Sequence, residues 1–171
     1  VPLWVGEFGE NSNYWGNNIK SFFERNDIGW SWWNYKSVER ISSLFSYDIT
    51  EGYQMVLDYW HGSVPKPDTA MAYQGLMSMA NNIHFDSCRV NSDLIRALID
   101  STYNSLEIPF VDFSPPGLLP ATDYNSGNHG VSYFDNRVED PNKFSSQTKS
   151  WNNGWSYRND GVDISSTIIN N

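Results

Sequence analysis

Two short apolar runs separated by one amphipathic stretch set the tightest limit on what this chain can fold into. The first, Val1-Pro2-Leu3-Trp4-Val5-Gly6-Glu7-Phe8-Gly9-Glu10, carries a carboxylate flanked by glycines near its end. A near-continuous apolar run predicts a buried parallel strand, here one that delivers Glu7 to a cleft. The second, Ile28-Gly29-Trp30-Ser31-Trp32-Trp33-Asn34-Tyr35-Lys36, predicts another strand, with three tryptophans. Between them, residues 11–25 predict a helix with Ile19, Phe22 and Phe23 facing inward and Asn26-Asp27 as its stop. Strand, helix and strand in this order make one βαβ unit.

Strict alternation places Glu7 beside Val5 and Leu3, on the face away from Phe8 and Trp4. It also separates Trp33 from Trp30 and Trp32, so one tryptophan face packs on helices while the other opens. An acid and an indole wall on successive strands suit a sugar site, where flat rings cover a pyranose and a carboxylate attacks. Glu10 lies beyond the strand, in solvent or at the start of the helix. From residue types alone, Glu7 can also be read as an acid bonded to backbone at a strand end. Core packing explains any single tryptophan as well.

Three further helices are expected. Residues 51–60 follow Thr50 as a cap. Residues 68–83 follow the breaker Pro65-Lys66-Pro67 and repeat Ala72, Tyr73, Leu76, Met77 and Ala80 at helical spacing. Residues 92–103 follow Asn91, with Leu94, Ile95, Leu98 and Ile99 on one side. Four prolines between Leu106 and Pro120 then mark a boundary. After it come short β-like runs around Gly130–Phe134, Trp151–Tyr157 and Val162–Ile164, separated by Asn, Asp and Gly, as in antiparallel sandwiches.

A formal charge of −9 with eleven basic residues argues against a nucleic-acid partner and suits a neutral ligand. No stretch reaches membrane-spanning length. The lone Cys88 rules out an internal disulfide and reads as a buried, inert thiol. His61, His84 and His129 lack metal-ligand spacing.

Val5-Gly6-Glu7-Phe8-Gly9, together with the tryptophan run at βαβ spacing, resembles the last two barrel strands of glycoside hydrolase family 5, the cellulase family. The stretch from Ser43-Leu44-Phe45 through Gly52-Tyr53 and Tyr59-Trp60 to Cys88 resembles bacterial members with a helical extension. Further on, Gly130-Val131-Ser132-Tyr133-Phe134-Asp135 and Tyr157-Arg158-Asn159-Asp160-Gly161-Val162-Asp163-Ile164 resemble the first half of a family 6-type carbohydrate-binding module. Pro120 and Thr122 stand where such modules often carry calcium-binding glutamates, so the carboxylates for that ion are lacking here.

The resemblance implies an α/β fold: a partial (β/α)8 TIM barrel, with its last two strands and C-terminal helices, followed by a partial all-β sandwich. It divides the chain into residues 1–105, a proline-rich linker over 106–120 and a sandwich over 121–171. It implies Glu7 as the catalytic nucleophile of a retaining β-glycanase and Trp33 as the wall of the cleavage subsite. Neither a metal nor an organic cofactor is needed. The family's acid/base glutamate belongs to an Asn-Glu pair, which this sequence does not contain. The expected chain is therefore a C-terminal fragment of a secreted bacterial enzyme acting on plant β-glucan or a related polysaccharide, with little activity alone. The alternative is a noncatalytic glycan-binding or cell-surface scaffold protein. Oligomeric state is left open by the sequence.

Overall fold

The structure, a computed structural model, describes residues 1–135, 157–162 and 164. Among these, the elements run β1 (Leu3–Gly9), α1 (Asn13–Arg25), β2 (Ile28–Trp33), β3 (Lys36–Val38), β4 (Phe45–Tyr47), α2 (Glu51–Trp60), α3 (Thr69–Asn82), β5 (Arg89–Val90) and α4 (Ser92–Ile99). The chain forms two compact units. One comprises Val1–Asn34, Ile41–Leu44 and Asn91–Asn171; the other comprises Tyr35–Arg40 and Phe45–Val90.

In the first unit β1 and β2 pair in parallel as a two-stranded sheet, with α1 between them in sequence. Ser12 caps α1 by accepting from the Trp15 amide at 3.1 Å, the bond that an N-cap hydroxyl supplies to an otherwise orphaned donor. Phe8 and Trp32 lie opposite each other and are buried with Leu94 and Leu98 of α4. Val5, Trp15, Ile19, Phe23, Trp30 and Leu44 pack around them. The Phe8 ring meets Phe23 and Trp32 edge-on at 5.1 Å and Trp30 at 5.6 Å, the geometry favoured by the quadrupoles of aromatic rings. The deepest positions of α1 are Asn13, Gly16 and Asn17, while Phe22 is exposed. Gly16 sits there because a Cβ would lie 2.9 Å from the Trp32 ring. Asn17 donates to the carbonyl of Ala97 at 2.8 Å, tying α1 to α4.

The expected partial TIM barrel is corrected by this topology. The ladder stops after β1 and β2, and the next strands form a separate three-stranded sheet in the second unit. A βαβ pattern is local, whereas a barrel requires a ladder closed through eight staggered strands. The same local pattern therefore serves a two-stranded unit equally well. Among the described residues the expected partial sandwich is corrected too. Gly130–Phe134 forms a turn with an isolated bridge between His129 and Tyr133, and Tyr157–Val162 is irregular. Gly130, at φ 78°, turns the chain in the first segment, and polar residues dominate Tyr157–Val162, which carries no apolar alternation long enough to hold a strand. Trp151 and Trp155 lie outside the described residues.

In the second unit β4 pairs in parallel with β3 and antiparallel with β5. Helices α2 and α3 are capped by Thr50 and Asp68, whose side chains accept from the Tyr53 and Met71 amides. The helices approach closely where Gly52 meets Gly75: a Cβ on Gly75 would lie 2.3 Å from the Gly52 carbonyl oxygen. Cys88 is half-buried rather than fully buried, with its thiol donating to the His84 carbonyl at 3.3 Å.

Helix α4 ends at Ile99, shorter than its apolar pattern predicts. The Asp100 carboxylate accepts from the hydroxyl and the amide of Thr102 at 2.7 and 2.8 Å. This local turn competes with another helical turn and ends the helix.

Candidate functional site

The position of Glu7 depends on an irregularity in β1. Val5 pairs with Trp30 and Phe8 with Trp32, so Gly6 and Glu7 together oppose the single residue Ser31. This two-against-one arrangement is a β-bulge, which bends a strand and re-aims its side chains. Its effect is visible in the packing: Val5 and Phe8 are three residues apart, yet both reach the core. Glu7 is turned to the opposite, exposed side. Strict alternation would have grouped Glu7 with Val5. The bulge instead places it on the face carrying Trp4.

That open face is built from glycines and indoles. Trp4 lies across Gly29, where a Cβ would come within 2.1 Å of its ring, and it is 66% exposed. At the far end Trp33, 49% exposed, pairs with Gly9. Gly9 has φ 146°, and a Cβ there would sit 2.0 Å from the Trp33 carbonyl oxygen, so the position requires glycine. That carbonyl also accepts from the Glu10 amide at 3.1 Å, which closes the end of the sheet. The peptide bond following Trp33 is cis. Trp30 and Trp32 lie on the covered side, as alternation predicts. Glu7 and Trp33 therefore share one face, with Trp33 one row beyond Glu7 on the neighbouring strand.

Trp4 is the residue that sequence reasoning missed. Its signal was the glycine opposite it, since a large ring lying flat on a sheet needs a neighbour without a side chain. The face is an open platform. An open cleft of about 460 Å³ occurs elsewhere in this unit, lined by Pro109, Val111, Phe113, Leu119, Asp123 and Asn125 among others, and it includes neither Glu7 nor Trp33.

A second constellation gathers around Arg158, which is buried between two rings, with its guanidinium carbon 4.1 Å from the Phe110 centroid and 3.9 Å from that of Tyr124. Its Nε lies 3.0 Å from Asp160 and its Nη2 3.4 Å from Asp93. It also donates to the carbonyls of Thr122, Tyr124 and Asn125. The Tyr124 hydroxyl donates to Asp160, and the Ser126 hydroxyl to Asp93. Burial pushes the carboxyls of Asp93 and Asp160 above the usual range, against the pull of Arg158. Burial, with the charge of Asp160 second, raises the Tyr124 hydroxyl as well.

Next to this cluster, Asn159 binds the start of α1: its carbonyl accepts from the Asn13 amide at 2.6 Å, and its amide donates to Asn13 Oδ1 at 3.0 Å. Every charged group at Arg158 is engaged within the chain, so the cluster acts as a clamp. Tyr157 is exposed, with its hydroxyl donating to Asp123 at 2.7 Å. Among the described residues no group of three His, Cys, Asp or Glu side chains is arranged to hold a metal ion, and no helix is long and apolar enough to cross a membrane.

Comparison with protein-family models, with curated proteins and with solved structures finds no match.

Proposed function

We propose that this chain supplies the nucleophile, Glu7, for hydrolysis of O-glycosidic bonds in a β-linked polysaccharide with retained configuration. What supports the reading is one observation: an exposed carboxylate shares an open sheet face with two exposed indoles, Trp4 and Trp33. Trp4 lies opposite Gly29, which is four residues from Trp33 along β2. At strand rise this is roughly 13 Å, a length suited to several sugar rings rather than one. Aromatic faces cover the apolar faces of such rings. The acidic balance of the chain favours a neutral polymer over an anionic one, and such a polymer is met outside the cell.

In the proposed reaction a Glu7 oxygen bonds to the anomeric carbon as the glycosidic bond breaks. A second carboxyl, about 5 Å away, gives its proton to the departing oxygen. That group then takes a proton from water, whose oxygen displaces Glu7 from the sugar. Trp4, Gly6, Gly9, Gly29, Ser31 and Trp33 supply no such acid, so this role falls to a carboxyl outside the face. The presence of one carboxylate rather than a pair favours a second reading, that of a noncatalytic glycan-binding protein.

Titration with cello-oligosaccharides, followed by indole fluorescence, tests both readings. Binding should weaken at least about tenfold in Trp33→Ala, the loss of one stacking ring, and persist in Glu7→Gln. A wild-type chain that binds no oligosaccharide would refute both. Release of phenol from an activated aryl β-cellobioside by the wild type, and not by Glu7→Gln, selects the enzyme.

A further inference from the structure

The apolar repeat of α3 faces away from the rest of its unit. Gly75 and Met79 are the buried positions of this helix, where it lies against α2. On another side Tyr73, Leu76 and Met77 are 64, 42 and 43% exposed, and Ala80 is exposed as well. Their spacing is that of a helix-packing seam, one that buried positions usually occupy.

We propose that this seam pairs antiparallel with the α3 of a second copy, about a two-fold axis passing between Leu76 and Met77. Under that symmetry residue i meets j and j meets i. Tyr73, the largest member, meets Ala80 of the second copy, the smallest, while Leu76 meets Met77. The seam is thus complementary in volume to its own reverse, which is what close packing of facing positions requires.

Charge favours the same occupant. Residues Thr69–Asn82 include no Lys, Arg, Asp or Glu, whereas α1, α2 and α4 all carry charged side chains. In a chain of net charge −9, α3 is the helix along which two copies meet without like-charge contact. Antiparallel pairing also sets each helix N-terminus near the C-terminus of the other, where their dipoles attract. Four half-exposed side chains supply on the order of 400 Å² per copy, less than a standard stable interface. The dimer is therefore weak and depends on concentration.

Sedimentation equilibrium of the full chain from about 10 μM to about 1 mM tests the proposal, because a small interface associates in that range. The wild type should pass from monomer to dimer. Leu76→Glu should remain monomeric with an unchanged far-ultraviolet circular dichroism spectrum. In a Cys88→Ser background, Tyr73→Cys with Ala80→Cys should form a covalent dimer on oxidation, and neither single variant should. Within one copy the two positions are about 10.5 Å apart along the helix, too far for an internal bridge. A wild type that stays monomeric throughout would overturn the proposal. So would a dimer indifferent to Leu76→Glu, or single variants that cross-link as readily as the double.

Discussion

Glu7 and Phe8 are adjacent in sequence, and the bulge assigns them to opposite faces, so their substitutions should have opposite consequences. Phe8 is buried and meets Trp15, Phe23, Trp30 and Trp32 at ring-centroid distances of 5.1 to 6.1 Å. Phe8→Ala removes a whole ring from this cluster and leaves a cavity that four large neighbours cannot fill without leaving their rotamers. Such truncations cost 3–5 kcal/mol, so about 4 kcal/mol is expected here. For a domain of this size that corresponds to roughly 8–16 °C in Tm. Glu7→Gln, at an exposed site, should change stability by less than about 0.5 kcal/mol. Urea unfolding followed by tryptophan emission reads the first unit directly, since Trp15, Trp30 and Trp32 line the lost ring. A loss below about 1 kcal/mol in Phe8→Ala, or a comparable loss in Glu7→Gln, would refute the assignment of faces.

Arg158→Met should destabilise the first unit by about 3–5 kcal/mol in the same assay, because it leaves Asp93 and Asp160 buried without their cation. A neutral effect would show that the clamp does not hold. Two opposed pH trends are also expected. Asp93 and Asp160 have raised folded-state pKa values, so their contribution is fully present below about pH 4 and is lost as pH rises through those values. The Asp100 carboxyl is held down to about 2, first by the Thr102 hydroxyl and amide and then by Arg96. Its contribution is present above about pH 4 and is lost as pH falls through about 2. Asp100→Asn should therefore flatten the decline in stability between those limits; an unchanged slope would count against the Thr102 turn.

Much of the local structure was legible in the residues, because local signals fixed it. Thr50 and Asn91 cap helices where an oxygen-bearing side chain precedes an apolar period, and the runs at Leu3–Gly9 and Ile28–Trp33 are strands. The bulge was not legible: one extra residue reverses the alternation, and nothing in Gly6-Glu7 marks it apart from the glycine. The α3 repeat was visible, but a period says which residues share a side and not what that side meets. Here the Gly52–Gly75 approach took the helix contact and left Tyr73, Leu76, Met77 and Ala80 outside. The clamp brings Arg158 to Asp93, 65 residues away in sequence, and gathers Phe110, Tyr124 and Asp160 with them, a convergence that no local pattern encodes. The barrel expectation failed for a related reason, since closure belongs to the whole sheet and not to one βαβ unit.

The proposed nucleophile can be examined without the second carboxyl by using a fluorinated cellobioside with a dinitrophenyl leaving group. That group departs without protonation, and the fluorine slows release of the sugar, so a nucleophile remains covalently labelled. Peptide mass spectrometry of the treated wild-type chain should find one fluorocellobiosyl group, on Glu7, and none in Glu7→Gln. A chain that stays unlabelled, or carries the sugar on a different residue, would contradict the role given to Glu7.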